Sequence, residues 1–257
     1  MTALLATSEH GDAMRSVVSR VRTVLTGVGL ALIPVLWTAA GSAFAQILNA
    51  DDVTAALIVA AGAAVSAAIG MVVMRRRRSS PVAGFGMPRN GRAVWWGLPL
   101  VATVLMAVVT QGLHVAGAVI AAYAVLVCAV AVNEEVWFRG IILAMLRRGG
   151  MRLAVVASAI LFAVLHLANL AGGADAPAAL LQVVFALLFG VVAAEVAILT
   201  TSLWPVIAWH AAWDFANFVG GNATTAVALA GIAGACLVML AVATVLWRRL
   251  FRASVAS

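Results

Sequence analysis

The residues best suited to chemistry lie inside the most apolar parts of this chain. Glu134 and Glu135 stand side by side after an uncharged run, 117–132, and Arg139 follows. Further on come His166 with Asn169, a lone Glu195, and the set His210, Asp214 and Asn217. A charged side chain at the centre of a bilayer costs roughly 2.5–3.5 kcal/mol on insertion scales. Such residues persist in a membrane only where they face protein or water, so their neighbours matter as much as their identities.

Spacing says which of them can meet. Glu135 and Arg139 are four apart, so they share a helical face and can pair, which offsets part of the burial cost of both. Glu134 is rotated by roughly 100° from Glu135 and is expected to face a different neighbour, with no partner on its own helix. A carboxylate in that position suits general acid–base work. His166 and Asn169 are three apart on one face, with Phe162 one turn before the histidine. His210, Asp214 and Asn217 line one face at i, i+4 and i+7.

Plainer readings stand beside these. Glu135 with Arg139 reads as a structural pair. A single membrane histidine often serves only as a hydrogen bond between helices, but two histidines and a glutamate on separate polar helices argue for a site. Asp214 could simply orient the His210 imidazole. Asn169 and Asn217 divide evenly between helix packing and the site. Glu195 reads as lying near the membrane surface, where exposure is cheap. Cys128 and Cys236 sit within apolar runs and read as buried small hydrophobes, with no disulfide framework.

The elements that must position these residues are membrane helices. Of 257 residues, 65% are hydrophobic and 10% charged, a composition that excludes an ordinary soluble domain and indicates an all-α, polytopic transmembrane helix bundle. Eight apolar runs are expected, at about 23–48, 53–74, 93–111, 116–146, 153–170, 178–199, 203–219 and 224–247, each near the length that crosses the hydrocarbon. Residues 1–22 read as a short cytoplasmic tail, and 23–252 as one transmembrane domain. The Arg-rich start followed by Ala43-Phe44-Ala45 also resembles a signal peptide; in either case Asp51 and Asp52 fall outside. Trp95, Trp96, Trp204 and Trp247 lie at run ends, and the eight tryptophans read mostly as interfacial anchors.

All sixteen basic residues are arginine. With the N-terminus inside, the arginine-bearing segments 1–22, 75–92, 147–152 and 248–252 all fall on the cytoplasmic side, while the loops near 51, 113, 174 and 222 carry no arginine. This positive-inside pattern places the protein in the plasma membrane with both termini cytoplasmic. The net charge of +7 is thereby assigned to topology and to the lipid bilayer, with no nucleic-acid partner implied.

Three stretches resemble a known family. Glu134-Glu135-Val136-Trp137-Phe138-Arg139 is similar to the Glu-Glu-x-x-x-Arg motif of the CAAX protease and bacteriocin-processing (CPBP, Abi) family of intramembrane endopeptidases. Phe162 to His166 resembles its Phe-x-x-x-His motif, and His210 to Asp214 its His-x-x-x-Asn/Asp motif, led in by Thr201-Ser202-Leu203-Trp204-Pro205. The resemblance spans about 95–220. It implies an all-α membrane core and peptide-bond hydrolysis of a membrane-associated protein or peptide. It also implies that Glu134 and His166 activate water, that His210 and Asp214 stabilise the oxyanion or complete the site, and that Glu135 and Arg139 hold the first motif in shape. Asp214 stands where many relatives carry Asn. A carboxylate donates no hydrogen bond unless protonated, so its task shifts toward orienting His210.

Metal dependence is open in the sequence. His166, His210 and Glu134 could hold Zn²⁺ with a water in the fourth position, and a metal-free scheme with Glu134 as base uses the same residues. A His-Glu-x-x-His helix is absent from the sequence. Competing functions are a proton-coupled transporter, against which no inverted repeat or broken-helix pair is found, and a non-catalytic scaffold. The deciding quantity is the distance from Glu134 to the two imidazoles: about 4–7 Å permits one bridging water or metal, and beyond about 12 Å the catalytic reading fails.

Overall fold

The computed structural model describes residues 2–76, 82–89, 91–171, 176–221 and 225–251, with side chains from Val21 onward except at 92–94 and 171. The expectations for Arg77, Arg78, the turn at 172–175, Asn222 and Arg252, and for the side chains of the N-terminal tail, lie outside these residues. The described chain is all-helical, with no strand and one isolated bridge between Gly84 and Ser202.

Eight rods account for the fold: α1 (Thr2–Ile47), α2 (Asp52–Arg76), α3 (Leu98–Gln111), α4 (Ala118–Glu135), α5 (Met151–Leu165), α6 (Ala176–Thr200), α7 (Trp204–Val219) and α8 (Ala226–Phe251). A 3₁₀ stretch at Gly91–Gly97 leads into α3, and a single turn at Ala168–Ala171 follows α5. Six helices are long and apolar enough to cross a membrane, while Trp95–Gln111 and α7 are shorter. The protein is therefore a multi-pass membrane protein. Large side chains such as Leu36, Val109, Leu180 and Leu237 stay exposed along the rods, as a lipid-facing surface requires and a water-facing one disfavours.

Helix ends follow local chemistry. Asp51 accepts the Thr54 N–H at 2.8 Å at the start of α2, filling one of the four unmatched donors of a helix start. The Thr54 hydroxyl and N–H hold the Asp51 carboxyl below its ordinary range. Gly150 takes φ +105° between the α4 rod and α5, a conformation open to glycine but strained for other residues.

Packing relies on small residues that let backbones approach. α2 lies against α1 and α4, α3 against α8 and α7, α6 against α5 and α8, and α7 against α4. A Cβ at Gly190 would come within 2.9 Å of the Ala159 Cα, so α5 and α6 touch backbone to backbone there. The arginine-bearing ends gather on one side of the bundle. Arg152 donates to the Phe251 carbonyl at 2.6 Å, and the Arg249 guanidinium lies 5.8 Å from the Trp96 ring. The segment 82–89 folds over this end and is tied to the turn before α7. Leu203 N–H donates to Gly84 O at 2.8 Å, the Ser202 hydroxyl to Gly86 O at 2.7 Å, and Trp204 Nε1–H to Phe85 O at 2.9 Å. In that turn Thr201 sits at φ +55°, a strained conformation that these bonds hold in place.

Three expectations change here. Cys128 is exposed and Cys236 only half-buried, so neither is the buried small hydrophobe expected of it. Glu195 is completely buried, not interfacial, and neither of its oxygens finds a hydrogen-bond partner among the described residues. It lies near the end of α6, within a stretch, Val192 to Ala197, that is buried throughout. Trp137, Trp209 and Trp213 are buried core residues, so anchoring describes fewer of the tryptophans than their number suggests.

Candidate active site

α4 delivers Glu134 and Glu135 at its last turn, and then the rod widens. Val136–Ile142 is π-helical and every residue in it is buried. Such turns are rare and recur at functional sites, because they shift the side-chain register without ending the helix. Gly140 makes room for this one: a Cβ there would lie 2.7 Å from the Met74 sulfur of α2. Trp137 fixes the other side, donating Nε1–H to the backbone oxygen and hydroxyl of Ser66 at 3.2 and 3.1 Å.

Glu135 and Arg139 pair as their spacing required, Nη1 to Oε1 at 2.8 Å, both fully buried. The pair has a third member. His210 Nδ1 lies 2.9 Å from the same Oε1, and because an ionised carboxylate only accepts, the imidazole donates Nδ1–H. Its other nitrogen, Nε2, then faces Asp214 Oδ2 at 3.4 Å and Glu134 Oε2 at 3.8 Å. Glu134 therefore does not face a different neighbour from Glu135. The two carboxylates flank the two nitrogens of one ring, which is wide enough to span their rotation on α4.

His166 caps the C-terminus of α5 and is half-buried, with its Nδ1 2.8 Å from the Phe162 carbonyl oxygen. A carbonyl oxygen only accepts, so this bond also fixes an Nδ1–H and leaves Nε2 free. Phe162 stands between the two imidazoles, its centroid 4.7 Å from His166 and 6.1 Å from His210. Glu134 is within electrostatic reach of His210, His166, Asp214 and Glu135. The Glu134 and Asp214 side chains keep 20% and 26% exposure, against 6% for His210. The cluster is open on the Glu134–Asp214 side and closed behind the Glu135–Arg139 pair.

An aromatic wall supplies the closure. The Arg139 guanidinium lies 4.5 Å from the Phe162 centroid and 5.7 Å from that of Phe189, contacts worth up to about 2 kcal/mol when desolvated. Phe189 packs against His210 at 4.8 Å and stacks on Trp209 at 4.2 Å, while Phe185 stacks on Trp213 at 4.3 Å. The sequence reading missed this wall, although Phe185 with Phe189 and Trp209 with Trp213 are four apart and share helical faces.

Two candidates fall away from the cluster's contacts. Asn169 does not continue the face of His166, because α5 ends at Leu165, and its exposed amide donates to Gln182 at 2.7 Å. Asn217 accepts from Gln111 at 2.6 Å and donates to Trp213 O, which makes it a packing residue between α7 and α3.

A zinc site needs at least three protein ligands that converge on one point. Among the described residues no three His, Cys, Asp or Glu side chains converge as metal ligands. His210 Nδ1 bonds Glu135 and His166 Nδ1 a carbonyl, which leaves each Nε2 as the atom a metal would use; His210 Nε2 faces Asp214. As placed, His166, His210 and Glu134 do not converge into a three-ligand zinc site.

A family model described as Type II CAAX prenyl endopeptidase Rce1-like matches residues 99–216, a segment that runs from α3 through most of α7 and contains the whole cluster. This agrees with the resemblance carried by the three motifs. No curated protein and no solved structure matches the chain.

Proposed function

Taking the Rce1-like segment as premise, we propose that this protein is an intramembrane endopeptidase that hydrolyses a peptide bond of a membrane-associated protein or peptide. Glu134 is the general base. It takes a proton from water, whose oxygen attacks the scissile carbonyl carbon, and it returns that proton to the leaving nitrogen. The free Nε2 of His166 accepts a second hydrogen bond from the same water and orients it. His210 in its protonated form donates Nδ1–H to Glu135 and holds Nε2–H toward the opening, where the oxyanion of the tetrahedral intermediate develops. Asp214 orients that Nε2, and Arg139 holds Glu135 in place.

One observation carries the reading: a single imidazole gripped from behind by a buried Glu–Arg pair, with Glu134 and Asp214 on its open side. This is the arrangement that fixes a histidine's tautomer and aims its second nitrogen. The arginine-bearing end of the bundle is the cytoplasmic one by the positive-inside rule, so the opening is reached from within the membrane or from the cytoplasmic leaflet.

Full-length protein in lipid vesicles, mixed with membrane-tethered fluorogenic peptides, tests the proposal. Wild-type protein cleaves, and Glu134→Ala loses cleavage by about 10²–10⁴-fold with an unchanged melting temperature. A Glu134→Ala variant as active as wild type would refute the assignment. Flux of a small solute that depends on Glu134, with no cleaved product from any peptide, would favour a carrier.

A further inference from the structure

At the arginine-bearing end, a groove of about 460 Å³ opens between the start of α5, the middle of α6 and the last turns of α8. Its walls are Val191, Ala243, Thr244 and Trp247, and Arg152 and Arg248 also line it. The volume falls in the range of small-ligand sites. We propose that this groove binds an anionic phospholipid, with its phosphate on Arg152 and Arg248 and an acyl chain along the apolar wall.

Polarity is graded along the groove. From Ala243 to the end of α8 at Phe251 the helix rises about 12 Å, passing from alanine and threonine through Trp247 to Arg248. That order matches a lipid's own profile from hydrocarbon through interface to headgroup, with tryptophan at the boundary. Trp247 is held by an edge contact to Phe251 at 4.6 Å. Arg152 is positioned in advance: it donates to the Phe251 carbonyl at 2.6 Å, and its guanidinium lies 5.7 Å from that ring. One bond uses one of five N–H donors, leaving the fork free for phosphate, which guanidinium matches in a bidentate fashion. Arg248 is exposed and has no partner among the described residues. Among the described residues two cations and no acid line the groove, and a charge-complementary amphiphile at this depth of a bilayer is an anionic lipid. The groove is separate from the Glu134 cluster and does not rest on the proposed activity.

Bromine-labelled lipids test it. Full-length protein is reconstituted in phosphatidylcholine vesicles with either brominated phosphatidylglycerol or brominated phosphatidylcholine, and the Trp247 part of the quenching is isolated by comparison with Trp247→Phe. Phosphatidylglycerol should quench Trp247 in preference to phosphatidylcholine. Arg248→Gln should weaken that preference about fivefold, the effect of ~1 kcal/mol for one interfacial arginine, and Arg248→Lys should retain most of it. Inorganic phosphate in solution should leave quenching unchanged, because it lacks the acyl chain. Equal quenching by the two lipids in wild-type protein, or an unaltered preference in Arg248→Gln, would overturn the proposal, as would full displacement of the lipid by inorganic phosphate. Among the described residues Arg248 has no hydrogen bond or ion pair to lose, so an unfolded variant is not expected; thermal melts of each variant check this.

Discussion

Removing Glu135 should unfold this protein more effectively than it impairs chemistry directly, because Glu135 compensates a buried cation. Arg139 is fully buried, and its one good hydrogen bond is to Glu135 at 2.8 Å; the bond to the Gly190 carbonyl is long, at 3.5 Å. Glu135→Ala leaves that guanidinium with only the aromatic faces of Phe162 and Phe189 and strips His210 of its Nδ1 acceptor. Breaking a buried pair from one side costs about 3–5 kcal/mol. Arg139→Met is milder, about 2 kcal/mol, because Glu135 keeps the His210 bond. Replacing both by methionine removes the charges together and should recover most of the loss, since apolar replacements of a buried ion pair are often neutral. A double-mutant cycle with methionine at each position, by SDS titration of the protein in mixed micelles, should therefore give a coupling energy of about 4 kcal/mol between the two positions. A coupling below about 0.5 kcal/mol would refute the view that the pair acts as one buried unit. Cleavage should be low in both single variants and should not return in the double variant, because His210 stays without its acceptor.

Two further outcomes follow from the same geometry. Exhaustive dialysis against a chelator should leave peptide cleavage within about twofold of its starting value, because among the described residues no three donor side chains converge as metal ligands; loss of activity restored by added Zn²⁺ would overturn the metal-free scheme. Gly190→Ala should destabilise the bundle by about 1–3 kcal/mol, because its Cβ meets the Ala159 backbone at 2.9 Å. A melting temperature equal to wild type would show that α5 and α6 separate freely.

The membrane class, the number of rods and the three site helices were legible in the chain alone, because each is a one-dimensional property. Apolar run length reports a span, and the Glu135–Arg139 and His210–Asp214 contacts are fixed by four-residue spacing on a helix. Residue spacing also identified Glu134, His166, His210 and Asp214 as candidates, since carboxylates and imidazoles in apolar runs are too costly to be incidental. What the chain could not reveal is how rods from distant positions meet. That Glu134 and Glu135 converge on one ring depends on how α7 docks against α4. That Glu195 is buried depends on how α6 packs against the helices around it. The π-helical turn after Glu135 has no sequence signature beyond Gly140, whose missing side chain admits Met74. Local spacing determines which side chains share a face; only tertiary packing decides what that face looks at, because the partners are set by contacts between segments tens of residues apart.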